Sequence, residues 1–145
     1  ASHISSLFKN RKIKKTYLAI IEGSLKVKNS KIELPIFSGE KKLEAITKYK
    51  VIEEKNNFSL LIIRPKTGRK NQIRKHFFLI NKPILGDFKF LPEIDSSEKK
   101  TQLYLHSYKT EFIDQNKKTI LIKANMPEYF IQFLKTNNFK RLSYL

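Results

Sequence analysis

The stretch Arg64-Pro-Lys-Thr-Gly-Arg-Lys-Asn-Gln-Ile-Arg-Lys-His76 concentrates chemistry-bearing side chains. It runs from an apolar, β-branched segment, through a Thr-Gly turn, into a helical pattern. Backbone N–H groups at a helix start attract anions, and Arg69, Lys70, Arg74 and Lys75 add positive charge beside them. On a helical projection Arg74 lies to one side of the apolar face made by Ile73, Phe77 and Ile80. It is therefore expected along a sheet edge rather than in the core. Taken alone, the stretch also suits a solvated basic helix start. It is not a nucleotide-phosphate loop, because it has one Gly and no Gly-Lys-Ser/Thr.

Two further stretches carry side chains of interest. In Lys14-Lys15-Thr16-Tyr17-Leu18-Ala19 a Tyr near a strand start is flanked by lysines. Its ring suits stacking on a base while Lys14 and Lys15 hold phosphates, although an ordinary strand aromatic has the same appearance. In Leu103-Tyr104-Leu105-His106-Ser107-Tyr108, alternation puts Leu103, Leu105 and Ser107 on one face and Tyr104, His106 and Tyr108 on the other. A strand His such as His106 is more often a hydrogen-bonded structural residue than a catalyst. No carboxylate pair stands at a recognisable spacing and no nucleophile elbow is present, so hydrolase chemistry is poorly supported. With no Cys and only three His, a cysteine nucleophile, a disulfide framework and a zinc site all lack their residues.

These residues need a scaffold, and the patterning supplies one. Strands are predicted at Thr16 to Glu22, Lys31 to Ile36, Ala45 to Ile52, Asn57 to Arg64, Gln102 to Ile113 and Thr119 to Ala124. Asn56-Asn57 marks a hairpin turn between the third and fourth strands. Phe37 to Leu43 is expected to be a loop around Gly39, and Leu91 to Lys100 a flexible loop. Helices are predicted over Ala1 to Asn10, over Asn71 to Asn81, and after Pro127, where Tyr129, Phe130 and Phe133 follow at helical spacing. About six strands and three short helices, mostly joined by short turns, imply an α+β fold built on a mixed, largely antiparallel sheet. No linker divides the chain of 145 residues, which has the length of one domain.

Thirty Lys and Arg against thirteen Asp and Glu give a net charge of +17. Such a field attracts polyanions. The basic residues are spread along the chain rather than gathered on one amphipathic helix or tail. That distribution suits a phosphate-tracking surface better than a membrane surface. A general Lys-rich drift would also raise the charge. No apolar run reaches the length of a membrane span. The chain opens on Ala1 without a Met, which is expected of a processed product or a piece of something longer.

In this order the motifs resemble the RluA-type family of RNA pseudouridine synthases. The matching pieces are Lys15-x-Tyr17-x-Ala19, Ala45-x-Thr47-x-Tyr49-x-Val51, Arg64-Pro-x-Thr-Gly-Arg69, Gln72-Ile-Arg74-x-His76, Pro83-Ile-Leu-Gly-Asp87, Leu105-His106, and Ala124 followed by Pro127. The resemblance implies that residues 1–145 are part of a pseudouridine synthase catalytic domain. It also implies an isomerase that breaks the uracil N1–C1′ bond, turns the base and joins C5 to C1′, with no metal or cofactor. Carried over by motif, Tyr17 packs on the uracil and helps remove the C5 proton. Arg74 pairs with a catalytic aspartate, Leu105 lines the uracil pocket, and Arg69, Lys70 and Gln72 lie near the RNA. The substrate implied is structured RNA, ribosomal or transfer, met in the cytoplasm by a monomer.

Two departures stand out. The family's His-Arg-Leu-Asp motif, which carries the aspartate, is absent; alignment on Lys15-x-Tyr17 puts it ahead of Ala1, so the chain alone is expected to be inactive. Asn71 stands where the family commonly has His. A competing expectation is a non-catalytic RNA-binding module on the same scaffold, and a third is a basic interaction protein with no nucleotide pocket.

Overall fold

The computed structural model describes residues 12–90 and 102–141. The helix expected over residues 1–10 and the loop expected over 91–100 lie outside them. Among the described residues, eight strands and two helices follow in chain order: β1 (Lys14–Glu22), β2 (Asn29–Glu33), β3 (Ile36–Ser38), β4 (Lys41–Leu43), β5 (Ile46–Lys55), β6 (Phe58–Pro65), α1 (Gln72–Leu79), β7 (Leu105–Ile113), β8 (Thr119–Lys123) and α2 (Glu128–Thr136). Six strands form one sheet in the order β2-β5-β6-β1-β7-β8, and every pairing between them is antiparallel.

The sheet is the middle of three layers. On one face Ala19, Ile21, Leu61 and Ile63 pack with Ile73 and Phe77 of α1. On the other, Leu18, Ile20 and Leu60 pack with Phe130 and Leu134 of α2. This explains the unbroken apolar run Leu18-Ala19-Ile20-Ile21, all fully buried: β1 is central and covered on both faces, so alternation disappears. The two layers also confirm the facing expected of residues 103–108. Leu103 and Leu105 pack with the α1 layer, and Tyr104 and Tyr108 with the α2 layer.

Three local expectations are corrected. Lys31 to Ile36 is not one strand: β2 ends at Glu33, and Pro35, which has no N–H to give a ladder, separates it from β3. Phe37 to Leu43 is not a plain loop, because β3 and β4 pair as a short hairpin with Gly39 at φ 62° in its turn. The strand expected from Gln102 begins only at Leu105. The Asn56-Asn57 hairpin forms as read, with both residues at positive φ (52° and 63°), the geometry that two-residue hairpin turns demand.

Candidate active site

Tyr17 sits on β1 between Ile63 of β6 and Ser107 of β7. The β1–β7 register shifts between Thr16 and Tyr17. A bulge of this kind bends the strand and re-aims the side chain beside it. α1 begins at Gln72 after Asn71, which adopts a left-handed conformation (φ 54°, ψ 28°) that Asn tolerates better than most residues. The turn before it is held by the Gln72 side chain. Its Oε1 accepts from the Thr67 hydroxyl (2.6 Å) and the Arg69 N–H (3.1 Å); its Nε2 donates to Ile46 O (3.0 Å) and Thr47 Oγ1 (2.9 Å).

Arg74, in the first turn of α1, donates from Nε to Asp87 Oδ2 (2.8 Å) and from Nη2 to Asp87 Oδ1 (2.7 Å). The Asp87 side chain is 2% exposed and that of Arg74 23%. The hydrogen bonds to Asp87 hold the Arg74 guanidinium above its ordinary pKa, outweighing burial, which acts the other way. Two parallel charge-assisted bonds also fix the plane of the fork. Gly86 positions Asp87: it has φ 83°, and a Cβ there would meet Gln102 O at 1.9 Å.

Behind the turn, His76 is fully buried. Its Nε2 lies 2.8 Å from Leu34 O and its Nδ1 2.7 Å from Thr47 Oγ1. A carbonyl only accepts, so Nε2 carries the proton and Nδ1 accepts from the Thr47 hydroxyl. Burial lowers the His76 pKa from its ordinary 6.5, against a smaller opposing effect of the Leu34 carbonyl.

A cleft of about 320 Å³ opens where these elements meet. Tyr17, Arg74 and Leu105 line it, together with Lys15, Lys66, Arg69, Asn71 and Gln72. Six of the nine residues singled out from the sequence thus share one hollow: Lys15, Tyr17, Arg69, Gln72, Arg74 and Leu105. The other three do not line it. Lys14 borders a neighbouring groove with Arg64, Lys109 and Glu111. Lys75 lines a hollow beside Phe37 and Phe90, and Lys70 is exposed in the turn before α1. Gln72 lines the cleft with its amide committed to four partners inside the protein and only 4% exposed, so it braces the loop that borders the hollow. Arg69 is tethered too, donating from Nε to Glu44 O (2.9 Å).

Sequence reading missed Asp87 as the partner of Arg74, and the Thr67–Gln72–Thr47–His76 chain of hydrogen bonds. The acidic residue after Gly86 was the available signal, but only tertiary contact joins it to α1. Among the described residues no three His, Asp or Glu side chains gather as a metal site, and no helix is long and apolar enough to cross a membrane.

The fold and site define the class as a three-layer α+β protein with a cationic cleft where β1, β7 and the start of α1 meet, and comparison makes it specific. Residues 1–78 match the family model described as RNA pseudouridylate synthase. The chain is 35% identical over 152 residues to ribosomal large subunit pseudouridine synthase D of Borreliella burgdorferi, covering 92% of this chain and 46% of that protein. It is 29% identical over 164 residues to tRNA pseudouridine synthase C of Vibrio parahaemolyticus, covering 91% and 65%. In fold it is similar to human RNA pseudouridylate synthase domain containing 4, with TM-score 0.80 at 19% identity, covering 94% of this chain and 67% of that one. The chain belongs to the RNA pseudouridylate synthase family. It spans about half to two thirds of the length of these curated relatives.

Proposed function

We propose that the protein to which this chain belongs isomerises uridine to pseudouridine in structured RNA, ribosomal or transfer, in the cytoplasm. The observation that carries this reading is the convergence of Tyr17, Arg74 and Leu105, from β1, α1 and β7, on one basic cleft. The base must leave its stack to enter, at a cost of a few kcal/mol. Leu105 supplies an apolar wall and the Tyr17 ring a stacking surface with a proton-accepting oxygen at its tip. Arg74, held in plane by Asp87, presents a fixed cation to an acidic group or a phosphate entering the cleft.

The reaction conserves atoms. The N1–C1′ bond breaks, the C5–C1′ bond forms, C5 loses its proton and N1 gains one. The nucleophilic aspartate belongs to the His-Arg-Leu-Asp motif, which residues 1–145 do not contain. The test is release of tritium from RNA labelled at uridine C5, by a longer protein carrying that motif joined to this chain. Turnover-dependent release is expected. No release from ribosomal or transfer RNA would leave the RNA-binding module as the better reading.

A further inference from the structure

The ladder registers put basic residues opposite one another across the sheet. Lys31 pairs with Lys48, and Lys48 with Arg64. One step beyond the Tyr17–Ile63 pair, Arg64 faces Thr16; Thr16 pairs with Lys109, and Lys109 with Lys123. Directly opposed residues share a face. This row therefore crosses all six strands on the α2 face, about 24 Å at roughly 4.8 Å per strand step. Lys48, Arg64 and Lys123 are exposed and Lys109 is half-buried. Like charges directly opposed in a sheet are destabilising, so the row costs the isolated fold stability. Two acids soften it: Glu33 pairs with Lys31, and Glu111 lies opposite Lys14.

The row does not stand apart from the cleft. A groove of about 410 Å³ beside it is lined by Arg64 and Lys109, and Lys15, Pro65 and Lys66 line both this groove and the cleft. One cationic path thus runs from Tyr17, around the end of β1 and β6, on to the opposite face of the sheet. We propose that this strip is a second RNA-backbone site, along which the phosphates flanking the nucleotide in the cleft continue over the back of the sheet. The inference rests on the RNA-substrate reading above. A polyanion is the occupant that charge complementarity selects, since it relieves the repulsion in the row by exchanging condensed counterions for lysines.

The experiment compares RNA binding by the chain and by a fourfold variant, Lys48→Gln, Arg64→Gln, Lys109→Gln and Lys123→Gln. The probes are a uridine-containing RNA stem-loop and a trinucleotide that reaches the cleft alone. The variant should bind the stem-loop at least about tenfold more weakly at ~0.1 M salt, with the slope of log affinity against log salt reduced by up to about 3. Trinucleotide binding should fall far less. Removing the opposed charges should also raise the melting temperature at low salt. A control variant carrying Lys26→Gln, Lys55→Gln, Lys118→Gln and Lys135→Gln has the same charge and leaves the strip intact. Equal losses in the two variants, or an unchanged slope in the first, overturn the proposal. Polyglutamate binding that depends on the four residues while RNA binding does not would assign the strip to an acidic protein and overturn it as well. If the unsubstituted chain binds neither RNA, the functional reading falls with it; stem-loop binding that survives the fourfold change removes the strip alone.

Discussion

Arg74 and Asp87 show how a cation is made into a fixed instrument. A guanidinium on a helix surface samples many rotamers; two bonds to a carboxylate that is almost wholly buried leave it one. Substituting Arg74→Ala in a longer protein that carries the His-Arg-Leu-Asp motif joined to this chain should lose at least ~3 kcal/mol of transition-state stabilisation, read from kcat/KM. A near-normal rate would remove Arg74 from the mechanism. Asp87→Asn keeps the shape and discards the charge, and should cost about 1.5–3 kcal/mol of stability in urea unfolding. His76 predicts a pH dependence. Its folded pKa lies below the ordinary 6.5, so neutral His76 contributes stability that is complete above pH 6.5 and is lost as pH falls toward the folded value. Urea midpoints measured at pH 7.5 and 5.5 should drop on the acid side, and His76→Gln should flatten that drop.

Among the elements, α2 closes the face of the sheet that α1 does not cover. Phe130 and Leu134 are fully buried against Leu18, Ile20 and Leu60. Phe130→Ala should therefore destabilise by about 3–5 kcal/mol, measured by thermal or urea unfolding, with the loss mainly of packing rather than of the cleft. Element identity was readable wherever the cause was local. Asn56-Asn57 specified a turn through its tolerance of positive φ, and the Ile73/Phe77/Ile80 stripe specified a helix. The last turn of α1 closes with Asn81 at φ 59°, where Lys82 N–H donates to Phe77 O, the cap that Gly more often makes. The reading erred where a partner decides. The residues around Gly39 become strand because β3 finds β4, and Pro35 splits an apolar alternation that looked continuous.

For the protein as an assembled object, charge and topology act together. A net +17 means that affinity for any RNA should fall steeply with salt. The chain alone revealed its excess of Lys and Arg, its strand and helix patterns, and the motif residues Tyr17, Arg74 and Leu105. The first two depend on side-chain chemistry or on neighbours within a few positions, and the motif residues came from the resemblance of short motifs in order along the chain. It could not reveal that Asp87 grips Arg74, that Gln72 turns inward to brace its loop, or that Lys48, Arg64, Lys109 and Lys123 fall in one row. Those facts require strand register and the approach of segments far apart in sequence. Such contacts form only when burial of Leu18 to Ile21 between the two helical layers brings the segments together.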